Sequence, residues 1–217
     1  MSLEDVDRIL DSPAFSSLMG WCEPKKAKLI ARLVVEAGQA QPPLCVEIGV
    51  FGGRGVVAMG LASKHVLGGA GRVDGIDPYA PAASLEGTHS AENNAYWSKV
   101  DYKAVLQSAR DGITRLGLNE CVRIILGRSQ DVVQDYATKS IHVLSMDGNH
   151  SEECAVHDVA EWAPKIASGG FWIFDDIHWH EGGHPSTKLA QENLIAKHEF
   201  TLLEEYDSWA IYQAPEG

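Results

Sequence analysis

A chain of 217 residues is long enough for one domain that buries about 70% of its unfolded surface, so its core needs no disulfide staple. Hydrophobic residues at 45% and charged residues at 22% exclude a disordered, collagen-like or coiled-coil protein. Thirty Asp and Glu against 18 Lys and Arg leave a net charge of -12, which repels phosphate backbones and anionic lipid and disfavours nucleic acid and membrane as partners.

The opening MSLEDVDRIL has no basic n-region and no apolar h-region, and no apolar run reaches the about 18 residues of a membrane helix, so a cytoplasmic location is expected. The cysteines, Cys22, Cys45, Cys121 and Cys154, are scattered without metal-type spacing, and Cys45 and Cys121 read as buried thiols. Residues 1–40 are expected to form an N-terminal helical segment. Within it, the stripe Ala27, Ile30, Leu33, Val34 and Ala37 predicts a helix over 24–37 that stops at Gly38. The runs LCVEI (44–48) and RVDGI (72–76) then read as buried strands. Residues 79–98 carry neither helical nor strand period and read as a lid insertion. A helix over 99–116 follows, with Val105, Leu106, Ala109, Ile113 and Leu116 inward, Ser98 and Asp101 as a capping-box pair, and Gly117 as its close.

Three further apolar runs, VRIIL (122–126), IHVLSM (141–146) and FWIF (171–174), continue the strands. Between the last two, Ala155, Val156, Val159, Ala160 and Ala163 predict a helix over 152–163, ended by Pro164. Finally FTLLEEY (200–206) and WAIYQ (209–213) are separated only by Asp207-Ser208, too short for a crossover, so they pair as an antiparallel hairpin. The expected fold is α/β: one domain over 1–217, with a doubly wound, mostly parallel seven-stranded sheet that ends in that hairpin.

Polar residues gather where the strands end. The first strand runs into Glu47-Ile-Gly49-Val-Phe-Gly52-Gly53-Arg-Gly55, and glycines at such a turn let backbone approach a ligand. The spacing is not G-x-G-x-x-G. Asp77 ends the second strand, where an acid accepts hydrogen bonds from ribose hydroxyls. Arg54 is the one basic residue of the turn, so a nucleoside without a pyrophosphate fits best. Asp147 ends the fourth strand, and Asp175 with Asp176 ends the fifth. Carboxylates converging there oppose joint ionisation, which calls for protons or a cation. Oxygen ligands suit a hard divalent ion, Mg²⁺ first, with Ca²⁺ or Mn²⁺ as others. His150 follows Asp147 by three residues; His178, His180 and His184 read as a polar loop rather than a second metal site. Trp97 and Trp179 are candidate pocket walls, whereas Trp172 lies inside a strand and reads as core.

The Glu47-x-Gly49-x-x-x-Gly53 turn, Asp77, Asp147-Gly-Asn-His150, Asp175-Asp176-Ile177-His178 and the closing hairpin together resemble a class I S-adenosylmethionine-dependent methyltransferase. Within that class the chain is similar to the macrocin O-methyltransferase group and, more distantly, to the catechol O-methyltransferases. The resemblance implies a Rossmann-like methyltransferase fold. It also implies that Glu47, Gly49 and Gly53 cradle the methionine end of S-adenosylmethionine, Asp77 holds its ribose, and Ser129 and Gln130 lie beside its adenine. Asp147, Asp175 and Asp176 would hold a divalent cation, and His150 would be the general base. Catechol enzymes carry Asp-Asn where this chain has Asp175-Asp176. That departure points towards a sugar or polyketide hydroxyl on a small hydroxylated acceptor. Self-association as a homo-oligomer is left open. Two other readings stand beside this one. A non-haem iron hydroxylase would use His150, Asp147 or Asp175 and a histidine from 178–184, but would leave the Glu47-Gly49 turn and Asp77 without a task. A non-catalytic nucleoside-binding module would bind the cofactor without turnover.

Overall fold

The continuous β-branched runs cannot hide their side chains on one face alone, so the strands sit at the centre with helices on both sides. The protein is described by a computed structural model covering residues 1–216. In chain order its elements begin with α1 (Leu3–Leu10), α2 (Pro13–Ser16), α3 (Pro24–Ala37), β1 (Leu44–Ile48), α4 (Arg54–His65) and β2 (Arg72–Ile76). Next come α5 (Pro81–Ser84), α6 (Ala91–Trp97), α7 (Tyr102–Arg115), β3 (Val122–Ile125), α8 (Ser129–Val132) and β4 (Ile141–Met146). The chain ends with α9 (Glu152–Trp162), β5 (Ile166–Asp175), α10 (Lys188–His198), β6 (Thr201–Glu205) and β7 (Trp209–Gln213).

The sheet order is β3-β2-β1-β4-β5-β7-β6, parallel from β3 to β5 and antiparallel from β5 through β7 to β6. This is a Rossmann-like methyltransferase fold. One core layer joins α3 and α4 to the sheet through Ile30, Val34, Val57 and Leu61; the other joins α9 and α10 through Val159, Trp162, Ala190 and Leu194. Register decides what stands at the sheet's carboxyl edge. Ile48 pairs with Ile76 on one side and Met146 on the other, and Met146 pairs with Phe174. Gly49, Asp77, Asp147 and Asp175 therefore follow level strand ends. The order reverses between β1 and β4, the switch point where open α/β sheets bind ligands.

Four expectations are corrected. Residues 79–98 contain α5 and α6, with no buried residue in either. Their signals are Pro81 at the first turn and the Ser90 hydroxyl accepting the Asn93 amide, which are caps rather than a period. Ser98 and Asp101 form no capping box: Ser98 closes α6, while Asp101 is itself the N-cap of α7 and accepts the Lys103 and Ala104 amides at 3.1 Å each. In α9, Ala160 is exposed, and the inward stripe runs through Ala155, Asp158, Val159 and Trp162. Strand β5 also starts earlier than the apolar run, because Ile166 pairs with Ile141 before a register shift. Cys45, Cys121 and Trp172 are buried as expected. No helix among the described residues is long and apolar enough to cross a membrane.

Candidate active site

The glycine turn after β1 is shaped by what cannot fit there. A Cβ on Gly49, at φ +82°, would lie 1.9 Å from the Asp147 carbonyl oxygen. The turn thus presses against the end of β4. A Cβ on Gly55 would lie 1.7 Å from Glu47 Oε1. Glu47 needs that space because its carboxylate accepts the Val56 amide at 2.8 Å, at the start of α4. Burial pushes this carboxyl up to about 8, against the pull of Lys26 and that amide.

Asp77 ties the turn to β2. Its Oδ2 accepts the Phe51 amide at 3.0 Å and its Oδ1 accepts the Tyr79 amide at 2.7 Å. Burial raises its carboxyl above the ordinary range. Phe51 and Tyr79 both sit at φ +47°, and Asp176 at φ +51°. Left-handed backbone costs a non-glycine residue on the order of 1–3 kcal/mol, and such strain concentrates where function needs a fixed geometry. All three line one cavity of about 730 Å³.

Of the residues expected at the site, Gly49, Asp77, Ser129, Gln130, Asp147, His150, Asp175 and Asp176 line this cavity. Glu47 and Gly53 do not: Glu47 braces α4 from behind, and Gly53, at φ +93°, is that helix's N-cap. Ser129 opens α8, and its hydroxyl donates to Asp158 Oδ1 at 2.6 Å. Burial pushes Asp158 up to about 6, opposed by the Ser129 bond.

At the other end of the cavity, Asp147, His150 and Asp176 bring ligand atoms within 4.8 Å of one another. His150 Nε2 lies 3.6 Å from Asp147 Oδ1, and Nδ1 lies 3.3 Å from Asp176 Oδ2. The Nε2 atom is buried without a hydrogen-bond partner. Burial lowers the imidazole below its ordinary value despite the nearby carboxylates, so the neutral form is favoured. Burial, then the Asp175 charge, raises Asp147 well above the usual range; burial also raises Asp176. Asp175 is outside this group of three. Its Oδ2 meets the Lys26 ammonium in a buried ion pair, and its Oδ1 accepts the Asp176 amide. His178, His180 and His184 are exposed, and His184 pairs with Glu152 at 2.8 Å.

Residues 79–98 line one side of the cavity, and the Glu181 carboxylate is one of their anchors. Glu181 Oε2 accepts the Ser90 amide at 2.6 Å, while Oε1 accepts Asn93 Nδ2 at 2.7 Å and Trp179 Nε1 at 2.8 Å, with His89 Nδ1 at 3.0 Å. Trp179 in turn packs on His150, ring centroids 5.5 Å apart. Sequence reasoning missed Lys26, Asp158, Glu181 and Trp21. A charge or tryptophan in an unpatterned stretch carries no local sign of its distant partner. Only Asp158 left a trace, as an acid on the inward stripe of α9.

Over residues 46–177 the chain matches a family described as a methyltransferase domain. Among solved structures it is similar to the O-methyltransferase NovP, at 21% identity over 89% of this chain and 81% of that one, with a TM-score of 0.71. It is also similar to an O-methyltransferase from Bacillus cereus in complex with S-adenosylhomocysteine (18% identity, 98% and 90% coverage, TM-score 0.63). TomG from Streptomyces achromogenes, an O-methyltransferase involved in tomaymycin synthesis, solved with S-adenosylmethionine, aligns at 15% identity over 98% and 87%, with a TM-score of 0.63. No curated protein matches the chain.

Proposed function

The chain belongs to the methyltransferase-domain family, and from that premise we propose that it moves the methyl group of S-adenosylmethionine to a hydroxyl of a small acceptor, a sugar or polyketide-type natural product, with a divalent cation at the acid cluster. One observation carries this reading: level strand ends put the Gly49–Asp77 crevice and the Asp147–His150–Asp176 group into a single cavity. The cofactor supplies an electrophilic methyl, and the cation supplies charge stabilisation to an oxygen losing its proton.

The residues fit both groups. Gly49 and Asp77 leave backbone and one carboxylate facing the crevice, with Ser129 and Asp158 further along it. At the other end, the approach of the Asp147 and Asp176 carboxylates beside His150 supports a cation there. Asp147 and Asp176 are the carboxylates we assign to it, with Mg²⁺ the first choice; Asp175, engaged by Lys26, backs them. We assign the ring proton to Nδ1, 3.3 Å from Asp176 Oδ2, which leaves His150 Nε2 as the acceptor for the hydroxyl proton. His150 Nε2 would take and hold the hydroxyl proton while the acceptor oxygen receives the methyl that the cofactor would supply. Trp179, itself held by Glu181, packs on the imidazole and keeps it in place.

The iron hydroxylase reading fails on composition. The cluster has one histidine and two carboxylates, and the exposed His178, His180 and His184 do not complete a second histidine ligand among the described residues. The binding-module reading predicts cofactor affinity without turnover.

Calorimetric titration with S-adenosylhomocysteine tests the cofactor half. Wild type should bind, and Asp77→Ala should bind about 10- to 100-fold more weakly, since a hydrogen bond to a charged group contributes about 1.5–3 kcal/mol. Equal affinity in the two proteins, or tighter binding of NAD, would sink the reading. The metal half is read from thermal melts. Mg²⁺ added after EDTA treatment should raise the wild-type Tm by mass action, and Asp147→Asn or Asp176→Asn should abolish the rise. A Tm that ignores Mg²⁺ in the wild type removes the cation from the site.

A further inference from the structure

The histidine-rich run 178–184 serves a use other than holding a metal. Gly182 and Gly183 sit at φ +59° and +87°, with open space where a Cβ would stand. Backbone conformation rather than room therefore asks for glycine at both, the pattern of a two-residue hairpin turn. Glu181 and His184 close that turn by exchanging amide hydrogen bonds at 2.9 and 3.0 Å. On the outer side His184 meets Glu152, at the start of α9, at 2.8 Å. The turn is pinned twice over, and the Glu181 side chain runs inward, to 4% exposure.

A carboxylate buried that far must find donors. No lysine or arginine among the described residues pairs with Glu181; its donors come from residues 89–93 and from its own loop. Burial pushes its carboxyl up, but the bonds from His89, Trp179 and Ser90 outweigh burial and hold it below its ordinary value. It is thus a pure acceptor. Of the three groups on Oε1, two belong to His89 and Asn93, and the third is the Trp179 indole that packs on His150. His89 is fixed in turn, because its other nitrogen meets the Glu86 carbonyl at 2.8 Å. An indole whose N–H is held keeps one ring orientation, whereas a released one can change rotamer. Bonds sharing one buried acceptor also support one another.

We propose that Glu181 is a positioning residue for His150, and that Asn93 and His89 act on the imidazole through it, along the route Asn93–Glu181–Trp179–His150. The methyl-transfer reading enters only in what His150 then does. Residues 89–93 line the acceptor side of the cavity, so one carboxylate sets both that wall and the base facing it. An acceptor that displaces α6 would displace the base as well.

Two readouts need neither cofactor nor acceptor. The first is solvent exchange of the Trp179 indole N–H by NMR, its resonance identified by its loss in Trp179→Phe. The second is carbethoxylation of His150 by diethyl pyrocarbonate, read by mass spectrometry against the exposed His178. Glu181→Ala should speed the indole exchange about 10- to 100-fold, the scale of a lost hydrogen bond to a charged group. It should also speed His150 labelling about twofold or more, the lower range for residues in one network. Asn93→Ala, which keeps the carboxylate, should move both in the same direction by less. In a Trp179→Phe background Asn93→Ala should add nothing to His150 labelling, because the route is already cut, whereas general loosening would add its full effect. Should Glu181→Ala fail to fold, Asn93→Ala and this cycle decide the matter. Wild-type His150 labelling in either single variant, or additive effects in the cycle, would overturn the proposal. S-adenosylhomocysteine affinity by calorimetry should hold within about twofold in every variant, since the cofactor crevice is untouched. A wild type that binds none would overturn the methyl-transfer reading, while the route to His150 stands or falls on the other two readouts.

Discussion

His150→Ala should lower kcat by about 10²–10⁴-fold, the usual contribution of a positioned base, while changing S-adenosylhomocysteine affinity by less than about twofold. The geometry makes the separation possible. His150 lies at the acid end of the cavity, its Nδ1 3.3 Å from Asp176 and its ring against Trp179, while the crevice we assign to the cofactor runs along Gly49, Asp77 and Ser129. Its Nε2 is buried without a hydrogen-bond partner, which suits an atom reserved for a substrate. Burial keeps the imidazole neutral at pH 7, the form that can take a proton. The measurement is a steady-state kcat for both proteins at saturating cofactor and Mg²⁺, together with a calorimetric Kd. A variant that keeps wild-type turnover would make His150 a packing residue, and the base would have to be sought elsewhere.

Lys26→Met should cost about 3–5 kcal/mol of stability, the penalty for leaving one partner of a buried ion pair alone. For a chain of this size that is a fall in Tm on the order of 10 °C. Lys26 stands on α3 and reaches Asp175 at the end of β5, with both side chains about a tenth exposed. Burial pulls the ammonium down, but the Asp175 and Asp147 carboxylates outweigh it and hold the amine above its ordinary value. Without that charge Asp175 would face Asp147 and Asp176 unopposed. Lys26→Met combined with Asp175→Asn removes both charges and should recover most of the loss, because an apolar or neutral replacement of a whole buried pair is often harmless. Thermal melts of the single and double variants close the double-mutant cycle. A Lys26→Met protein that melts within about 2 °C of wild type would show the pair to be idle.

The strands and their edge residues were legible in the sequence because their causes are local. Val, Ile and aromatic side chains in runs of four to six residues bury on both faces and nowhere else, so β1, β2 and β4 fell where those runs fall. The two-residue Asp207-Ser208 link allowed only a hairpin, and β6 and β7 form one. Asp77, Asp147, Asp175 and Asp176 stood out because an acid closing an apolar strand is out of place unless a ligand or partner meets it. The irregular stretch 79–98 was visible too, as residues without period, although its two short helices were not, since caps rather than apolar spacing start them.

What the tertiary structure alone decided is which of these charged groups meet. Lys26 and Asp175 are 149 positions apart, and Glu181 grips the lid from 88 to 92 positions away. No propensity or spacing encodes such pairs; the strand order and register bring α3 under β5 and the loop after β5 over α6. The same applies to Glu47. Its place beside the glycine turn suggested a ligand contact; the fold adds that its buried carboxylate fills the space that Gly55 leaves and accepts the Val56 amide. The residue types at the strand ends were determined by sequence, but the direction in which each carboxylate points is a property of packing, because burial of a charge is tolerated only where a donor or cation happens to converge on it.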